Sequence, residues 1–258
     1  MREDIKFLQG DEWTKLDQYP TDQKRGKPRP LVVKPYPEDA VLIDLVAPQD
    51  FRVGNMPLIE VIRNRRSHRY FTDEALSLEE LSFLLWATQG IRRMSDDGVR
   101  YYRNVPSGGN RHPIETYLSV HRVEGVKVGL YRYLPIEHKL LLLQDDPDIA
   151  VKTARGGQDQ TREAPDGSTY HFQRDSAVFF IWTAIPQRTA WRYGPVAAKM
   201  VAIDAGHICQ NLYLAAGAIG AGTCACGAID RIEMDKVLGV DGENEFTFYM
   251  APVGKIPG

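Results

Sequence analysis

The hydrophobic pattern of this chain changes period near residue 115, and this change strongly limits the folds available to it. Before that point Ser77 and Glu80 form a capping box, and leucines follow at helical spacing until Gly90, which predicts a helix. After it come ETYLSVHRV, GLYRYL and HKLLLL, short segments rich in β-branched, aromatic and apolar residues. Glycines and Pro135 separate these segments, so we expect the strands of a meander.

The elements after the meander mix strand and helix without a regular alternation. The segment AVFFIWTAI (177–185) predicts a buried strand, residues 196–216 a helix that is apolar nearly all round, and EFTFYMAPV (245–253) a final strand. Residues 152–175 are polar and contain glycines, which predicts a long loop or lid. This order of elements predicts an α+β fold and disfavours a doubly wound nucleotide fold.

Prolines dominate the region before the first of these helices. Seven prolines lie between residues 19 and 57, a density that breaks helices and favours an extended arm laid over the body. We expect residues 1–54 to form this arm and residues 55–258 to form a single domain. A short helix is predicted to open at about Asn55 and to run through Arg63, with a proline in its first turn.

Charge and hydropathy limit the classes of partner. The 258 residues carry 32 basic and 34 acidic side chains, a formal net charge of -2, and no long block of one sign, which disfavours a nucleic-acid surface. The first residues contain acids and no apolar core of a secretory signal. The longest stretch without full charges, 205–229, contains histidine, amides and glycines, so a membrane span is disfavoured. We therefore expect a cytoplasmic protein.

Three short stretches point to a planar, phosphorylated cofactor when they are taken together. In RRSHR (65–69), Arg65 and Arg69 offer planar forks of donors to a phosphate, and Ser67 adds a hydroxyl. In PSGGNRHP (106–113) the two glycines let main-chain amides approach a ring, while Ser107 and Asn110 offer polar contacts. The third stretch is the glycine-rich GAIGAGTCACG (217–227).

Each stretch alone has a plainer interpretation. A basic cluster such as RRSHR fits a solvated helix end, and GAIGAGTCACG fits a helix C-cap at Gly217 followed by tight packing. The third stretch is not a dinucleotide fingerprint, because it follows a helix instead of a strand. A metal site could be drawn from four side chains, namely His207, Cys209, Cys224 and Cys226. The CxC spacing suits zinc poorly, so we expect these side chains to pack with apolar residues and to bind no metal. We expect His207 to lie in the core or an interface and His112 to be structural.

These stretches, with several others, resemble the FMN-dependent nitroreductase superfamily and, within it, the SagB-type dehydrogenases. The resemblance runs from about residue 55 to the C-terminus, through IRNRRSHRYF, LSLEELSFLLWATQG, NVPSGGNRHPIETYLSV, VGLYRYLPIEHKL, DAGHICQNLYLAAGAIGAGTCACGAID and APVGKIPG. It implies a nitroreductase-like fold, with a central, mostly antiparallel sheet flanked by helices, and a homodimer with FMN at the interface.

The resemblance also implies roles for individual residues. Arg65, Ser67 and Arg69 would bind the FMN phosphate, and Lys255 would be a further basic residue after the last strand. The isoalloxazine ring would contact residues of the second stretch, namely Pro106, Ser107, Gly108 and Asn110. The backbone of Cys226 and Gly227 would lie near the N5 edge of the ring.

One position departs from the pattern of the SagB-type dehydrogenases. They typically carry Lys-Tyr where this chain has Arg192 and Tyr193, its expected catalytic residues. An arginine stays protonated and is a poor base, whereas a desolvated lysine can release its proton. We therefore expect hydride transfer from NAD(P)H through the flavin to a small quinone or nitro acceptor. The alternatives are azoline oxidation in a modified peptide and flavin binding without turnover.

Overall fold

A seven-stranded antiparallel sheet forms the centre of the computed structural model, which describes residues 5–257. Its strand order is β1-β6-β5-β4-β9-β11-β10. The strands are β1 (Leu42–Asp44), β4 (Ile114–Val120), β5 (Gly129–Leu134), β6 (Lys139–Gln144), β9 (Val178–Ala184), β10 (Ala221–Thr223) and β11 (Phe246–Lys255). Two separate hairpins pair β2 (Ile91–Met94) with β3 (Tyr101–Arg103), and β7 (Arg162–Glu163) with β8 (Thr169–Tyr170).

Seven α-helices accompany the sheet in the described residues. They are α1 (Lys6–Gln9), α2 (Leu58–Asn64), α3 (Leu78–Gln89), α4 (Ile149–Gly156), α5 (Gln187–Tyr193), α6 (Ala197–Ala218) and α7 (Arg231–Leu238). Helices α3 and α6 pack on each other, as do α4 and α7. In this part of the chain no helix has the length and apolar character that a membrane crossing requires.

The alternation of side chains along the strands builds a core on each face of the sheet. In β9, Phe180 and Trp182 join the larger apolar cluster with residues of α3 and α6. Their neighbours Phe179 and Ile181 join a second cluster with residues of α4 and α7. All seven residues of β9 are buried, which explains why the segment is a continuous apolar run.

The elements expected from the sequence are confirmed, and several others were not anticipated. The capping box of Ser77 and Glu80 opens α3, the meander is β4 to β6, and α6 and β11 lie where a helix and a strand were expected. The long loop or lid expected over 152–175 is shorter than predicted and is interrupted by regular structure. There α4 extends to Gly156 and β7 pairs with β8, because short polar segments formed local hydrogen bonds that apolar periodicity does not signal. The β2–β3 hairpin, α5 and α7 were missed for the same reason.

The N-terminal region lies on the body through bonds to its backbone. Arg132 donates to the carbonyl oxygens of Lys34 and Pro35, at 3.1 and 2.9 Å, and Arg103 donates to that of Val32 at 3.1 Å. Within the predicted arm, β1 pairs with β6 and completes one edge of the main sheet. The boundary at residue 54 stays a prediction.

Candidate active site

The segment 65–69 leaves the end of α2 in an extended path beside β10. The backbone N–H of His68 donates to the carbonyl oxygen of Thr223 at 2.9 Å. Because side chains alternate along such a path, Arg65 and Ser67 share a side. Both reach Tyr213 of α6. The Arg65 guanidinium carbon lies 5.3 Å from the ring centroid, and the Ser67 and Tyr213 hydroxyl oxygens are 2.9 Å apart.

Tyr213 links the 65–69 segment to the loop that follows β10. Its hydroxyl oxygen also accepts a hydrogen bond from the N–H of Ala225 at 2.8 Å. The two cysteines that flank Ala225 are buried. The thiol of Cys226 and, more weakly, the charge of Arg69 lower the pKa of Cys224, which places Arg69 at the same loop. Arg65, Ser67, Arg69 and Cys226 are therefore brought together, with the exposed Gly227 next in the chain. Tyr213 was not anticipated.

A cavity of about 390 Å³ opens beside this group. Arg65, His68, Tyr213 and Gly222 contribute to its lining. A side chain at Gly222 would not fit, because its Cβ would lie 2.6 Å from Ile256 and 2.7 Å from His68. Burial, and after it the charge of Arg66, lowers the pKa of His68, so the positive charge at this cavity comes from arginines.

Lys255 is engaged elsewhere. Its ammonium lies 2.5 Å from Oε1 of Glu80, and it also donates to the carbonyl oxygen of Ile219 at 3.4 Å. The other carboxylate oxygen of Glu80 accepts from the N–H of Ser77 and closes the capping box of α3. The charge of Lys255 is thus already paired, and the structure does not bring it to Arg65 and Ser67 as an available cation.

The second predicted segment, the 106–110 loop, is fastened to α6 by a buried carboxylate. Asp204 accepts hydrogen bonds from the hydroxyl of Ser107 at 2.6 Å and from the N–H of Gly108 at 3.3 Å. Burial raises the pKa of Asp204. The approach is close, since a Cβ at Gly108 would lie 2.1 Å from the terminal methyl of Met200, and that side chain would have to move. Asp204 was not anticipated, although an acid inside an otherwise apolar helix is a signal.

Polar side chains of this loop are turned inward. The amide of Asn110 accepts from the N–H of Tyr101 at 3.1 Å and donates to its carbonyl oxygen at 2.7 Å. The imidazole of His112 makes a 2.7 Å hydrogen bond to the same carbonyl. Burial and then the charge of Arg103 lower the pKa of His112 to about 2, so it is neutral and structural. The side chains of Ser107 and Asn110 are therefore used within the protein, and the exposed surface of the loop is Pro106 and Gly109 with their backbone.

Arg192 and Tyr193 lie against Gly109. A Cβ on that glycine would be 2.6 Å from the Tyr193 hydroxyl and 3.0 Å from Cδ of Arg192, and its φ of 61° favours glycine as well. The Arg192 guanidinium carbon is 5.6 Å from the centroid of the Tyr193 ring. On another side this ring meets Trp13, with centroids 5.7 Å apart. The expected catalytic pair therefore adjoins the 106–110 loop.

The two segments contact α6 at places far apart along the helix. The 106–110 loop meets Met200 and Asp204, whereas the 65–69 segment meets Tyr213. Tyr213 lies nine positions after Asp204, a distance of about 13.5 Å along the helix axis. The chain thus has two separate groups of predicted site residues, which we call half-sites.

Comparison with known proteins identifies the family. Residues 62–255 match the model of the nitroreductase family. The chain belongs to the nitroreductase family. Its members are generally FMN-dependent oxidoreductases that use NAD(P)H, and the chain is an oxidoreductase, so the alternative of flavin binding without turnover is set aside.

Two curated relatives differ in the work that their names describe. A Methanocaldococcus jannaschii protein named as a nitroreductase is 30% identical over 203 residues, which cover 79% of this nitroreductase and 93% of the relative. The trifolitoxin-processing protein TfxB of Rhizobium leguminosarum is 30% identical over 171 residues. Those residues cover 64% of this chain and 44% of TfxB.

Solved structures confirm the fold. A Ralstonia eutropha protein named as a nitroreductase has a TM-score of 0.65 at 24% identity, over 89% of this nitroreductase and 96% of that chain. A chain of the Escherichia coli microcin synthetase McbBCD complex, with truncated pro-MccB17 bound, has a TM-score of 0.59 at 19% identity. That match covers 100% of this chain and 99% of the other.

The cysteine and histidine expectations have mixed outcomes. All three cysteines are buried, and they pack in the two apolar clusters as predicted. His207 is exposed on α6, so the expectation that it lies in the core was wrong. Its place in an interface stays a prediction. No group of three side chains with metal-ligating geometry occurs within residues 5–257.

Proposed function

We propose that this nitroreductase transfers a hydride from NAD(P)H, through FMN, to a small organic acceptor of the quinone or nitro type. We further propose that it acts as a homodimer, with each FMN held between two protomers. The observation that carries the proposal is the placement of the two half-sites far apart along α6.

An exposed face of α6 supports this arrangement. Six residues of the helix are exposed, and four of them are small or apolar and recur at helical spacing, namely Ala198, Ala202, Ile203 and Gly206. The other two, His207 and Gln210, are polar. Apolar side chains of α2, which packs on α6 near Gly217, are also exposed, namely Leu58, Ile59 and Ile62. Small residues allow close approach of two helices, and a two-fold axis perpendicular to the helices makes the pair run antiparallel. Such a pairing brings the 106–110 loop of one protomer towards the 65–69 segment of the other.

The residues of the 65–69 segment fit the phosphate end of FMN. Arg65 and Arg69 have no carboxylate partner within the described residues, so their donors are available to a phosphate. The Ser67 hydroxyl lies beside Arg65, and Gly222 in the wall of the adjoining cavity lets Ile256 and His68 approach the backbone closely. Bound FMN would supply hydride chemistry at N5, which no side chain can provide.

The chain's own residues then bind and orient. The 106–110 loop, through Pro106, Ser107, Gly108 and Asn110, would offer main-chain contacts to the ring, and the loop after β10 would offer the backbone of Cys226 and Gly227. Asp204 holds the first of these loops in place. Arg192 and Tyr193 adjoin Gly109, where a substrate above the ring would lie, and the Arg192 fork would orient a carbonyl or anionic acceptor. For Lys255 the ion pair with Glu80 argues against a phosphate role.

Oxidation of an azoline in a modified peptide is the second candidate function, as in the SagB-type dehydrogenases. It is favoured by the similarity to a trifolitoxin-processing protein and to a chain of the microcin synthetase complex. Arg192 weighs against it, because a guanidinium does not act as a base near neutral pH. Residue 192 therefore separates the two candidates.

Extraction of the purified protein tests the cofactor proposal. We expect about one FMN per chain and bleaching of its absorbance by NADH or NADPH. The double variant Arg65→Ala/Arg69→Ala should lose most of the FMN, because each charge-assisted contact is worth about 1.5 to 3 kcal/mol. The control Arg25→Ala/Arg155→Ala removes two exposed positive charges elsewhere and should retain FMN. Folded wild-type protein that neither retains nor binds FMN would refute the proposal.

A further inference from the structure

Four arginines gather around the outer side of the 106–110 loop. Arg29 donates to the carbonyl oxygen of Asn110 at 3.0 Å, and Arg192 lies against Gly109. After burial, the charges of Arg100 and Arg192 are among the causes that lower the pKa of Arg29. Burial and then the charges of Arg29 and Arg192, among others, lower the pKa of Arg111. We call Arg29, Arg100, Arg111 and Arg192 the arginine group.

The protein supplies little negative charge to this group. Within residues 5–257, none of the four forms an ion pair with a carboxylate. Asp97 acts on Arg29 and Arg100 from a distance, and its carboxylate, held by Ser95 and Val99, contributes one negative charge. Glu115 pairs with Arg188, at 2.6 Å. Most of the positive charge of the group is therefore left uncompensated.

The repulsion among these arginines affects the buried Arg111. Burial, and then the charges of Arg29, Arg188 and Arg192, lower the pKa of Arg111 to about 10. Its side chain is held by the carbonyl oxygens of Arg188 and Pro30 and lies 4.8 Å from the Trp191 ring. An anion outside the loop would relieve this repulsion.

Aromatic rings adjoin the exposed members of the group. The Arg192 guanidinium lies against the ring of Tyr193, which in turn meets Trp13. Trp13 and Arg29 both belong to the N-terminal region, which is fastened here by bonds between Trp191 and the backbone of Gln23 and Lys27, each 2.9 Å. The N-terminal region thus brings both a ring and a cation to the place where Gly109 is exposed.

We propose that Arg29, Arg100 and Arg192 form a subsite for an anionic group carried by a planar ring. This inference rests on the proposed function, because the subsite faces the loop assigned to the flavin ring. The anion is a carboxylate or a phosphate, and its bearer is either the electron acceptor or the nicotinamide nucleotide. Buried Arg111 contributes through its charge alone.

Matched pairs of probes test the subsite by calorimetric binding to the protein as purified. The first pair is 4-nitrobenzoate and the neutral 4-nitrobenzamide, and the second is nicotinamide mononucleotide and nicotinamide riboside. We expect the charged member of at least one pair to bind about ten-fold more tightly, with a preference that weakens as salt is added. The pair that shows the preference identifies the bearer.

Substitutions then assign the preference to the group. The variant Arg29→Gln/Arg100→Gln should lose most of the preference for the charged probe. The variant Arg29→Lys/Arg100→Lys should keep most of this preference. The control Arg25→Gln/Arg63→Gln should leave the preference unchanged. The inference is overturned if neither pair shows a preference in FMN-loaded wild type, or if the preference survives in the glutamine variant. Protein that binds no FMN overturns the proposed function instead, whatever the probes show.

Discussion

The hydroxyl of Ser107 donates a 2.6 Å hydrogen bond to the carboxylate of Asp204 and so fastens the 106–110 loop to α6. The same hydroxyl oxygen accepts from the N–H of His112 at 2.8 Å, and the other carboxylate oxygen accepts from the N–H of Gly108. A single buried acid therefore holds the start of the loop to α6.

This acid should give the protein a characteristic dependence of stability on pH. Burial raises the folded-state pKa of Asp204 above its ordinary value of 3.8. The folded state then binds more protons than the unfolded state as pH rises through the interval above 3.8, so the free energy of unfolding should fall there. Asp204→Asn cannot titrate and should lack this contribution. Urea unfolding at several pH values from about 4 to 7 measures it.

The control for this measurement is Asp17→Asn, which changes an exposed aspartate. Its unfolding free energy should follow that of the wild type at every pH. A difference between wild type and Asp204→Asn that stays constant with pH would contradict the account of Asp204.

Tyr213→Phe should destabilise the protein and loosen FMN. The change leaves the N–H of Ala225 and the hydroxyl of Ser67 without their shared partner, an effect worth about 1 to 3 kcal/mol when a group is buried. Denaturant unfolding and the FMN content of the purified variant measure the two effects. In the control Tyr102→Phe the lost hydroxyl makes no hydrogen bond within the described residues. Equal stability of the two variants would count against Tyr213 as the link.

Gly206→Arg should separate the dimer without disturbing the protomer. A Cβ at this exposed position of α6 meets nothing within 4 Å, so the side chain fits in a free chain but blocks a helix packed across it. Sedimentation should show a 29.1 kDa monomer that has lost FMN. The control Ile232→Arg alters the exposed face of α7, which packs on α4 and β11, and should stay dimeric. A wild type that is monomeric with FMN bound would refute the dimer.

The residue at position 192 should decide between the two candidate reactions. We expect the wild type to reduce a quinone with NAD(P)H and to oxidise an azoline-containing peptide poorly, since a guanidinium is a poor general base. Arg192→Lys should improve the second reaction relative to the first. Steady-state rates of both proteins on both substrates measure this. Efficient azoline oxidation by the wild type, equal to that of the lysine variant, would favour the peptide substrate.

The sequence predicted what depends on residue type and local spacing. The arginines of 65–69, the glycines of 106–110 and the capping box of Ser77 and Glu80 are local features, and the structure places each in the expected kind of element. The continuous apolar run of β9 was also readable, because a short apolar run of this kind is typical of a strand buried on both faces.

Contacts between distant residues could not be predicted in the same way. Asp204 lies 97 positions from Ser107, and Glu80 lies 175 positions from Lys255, so neither pairing is visible in a local pattern. The ion pair with Glu80 neutralises Lys255, whose charge was expected at the FMN phosphate. The role of Tyr213 depends on α6 packing against two segments at once, which only the folded chain reveals.

The central claim is that each FMN site combines the 65–69 segment of one protomer with the 106–110 loop of another. It can be tested with two variants that each damage one half-site. Arg65→Ala/Arg69→Ala removes the cations, and Gly109→Val displaces the loop, because a Cβ there meets the Tyr193 hydroxyl at 2.6 Å and φ is 61°. Circular dichroism and sedimentation first establish that both variants are folded dimers.

The decisive measurement is the FMN content after the two variants are unfolded and refolded together in equal amounts. Each mixed dimer would contain one intact site and one site damaged twice, and half of the dimers would be mixed. We therefore predict recovery of about a quarter of the wild-type FMN content, from two variants that bind little FMN alone. No recovery, with mixed dimers shown to be present, would contradict a site shared between protomers.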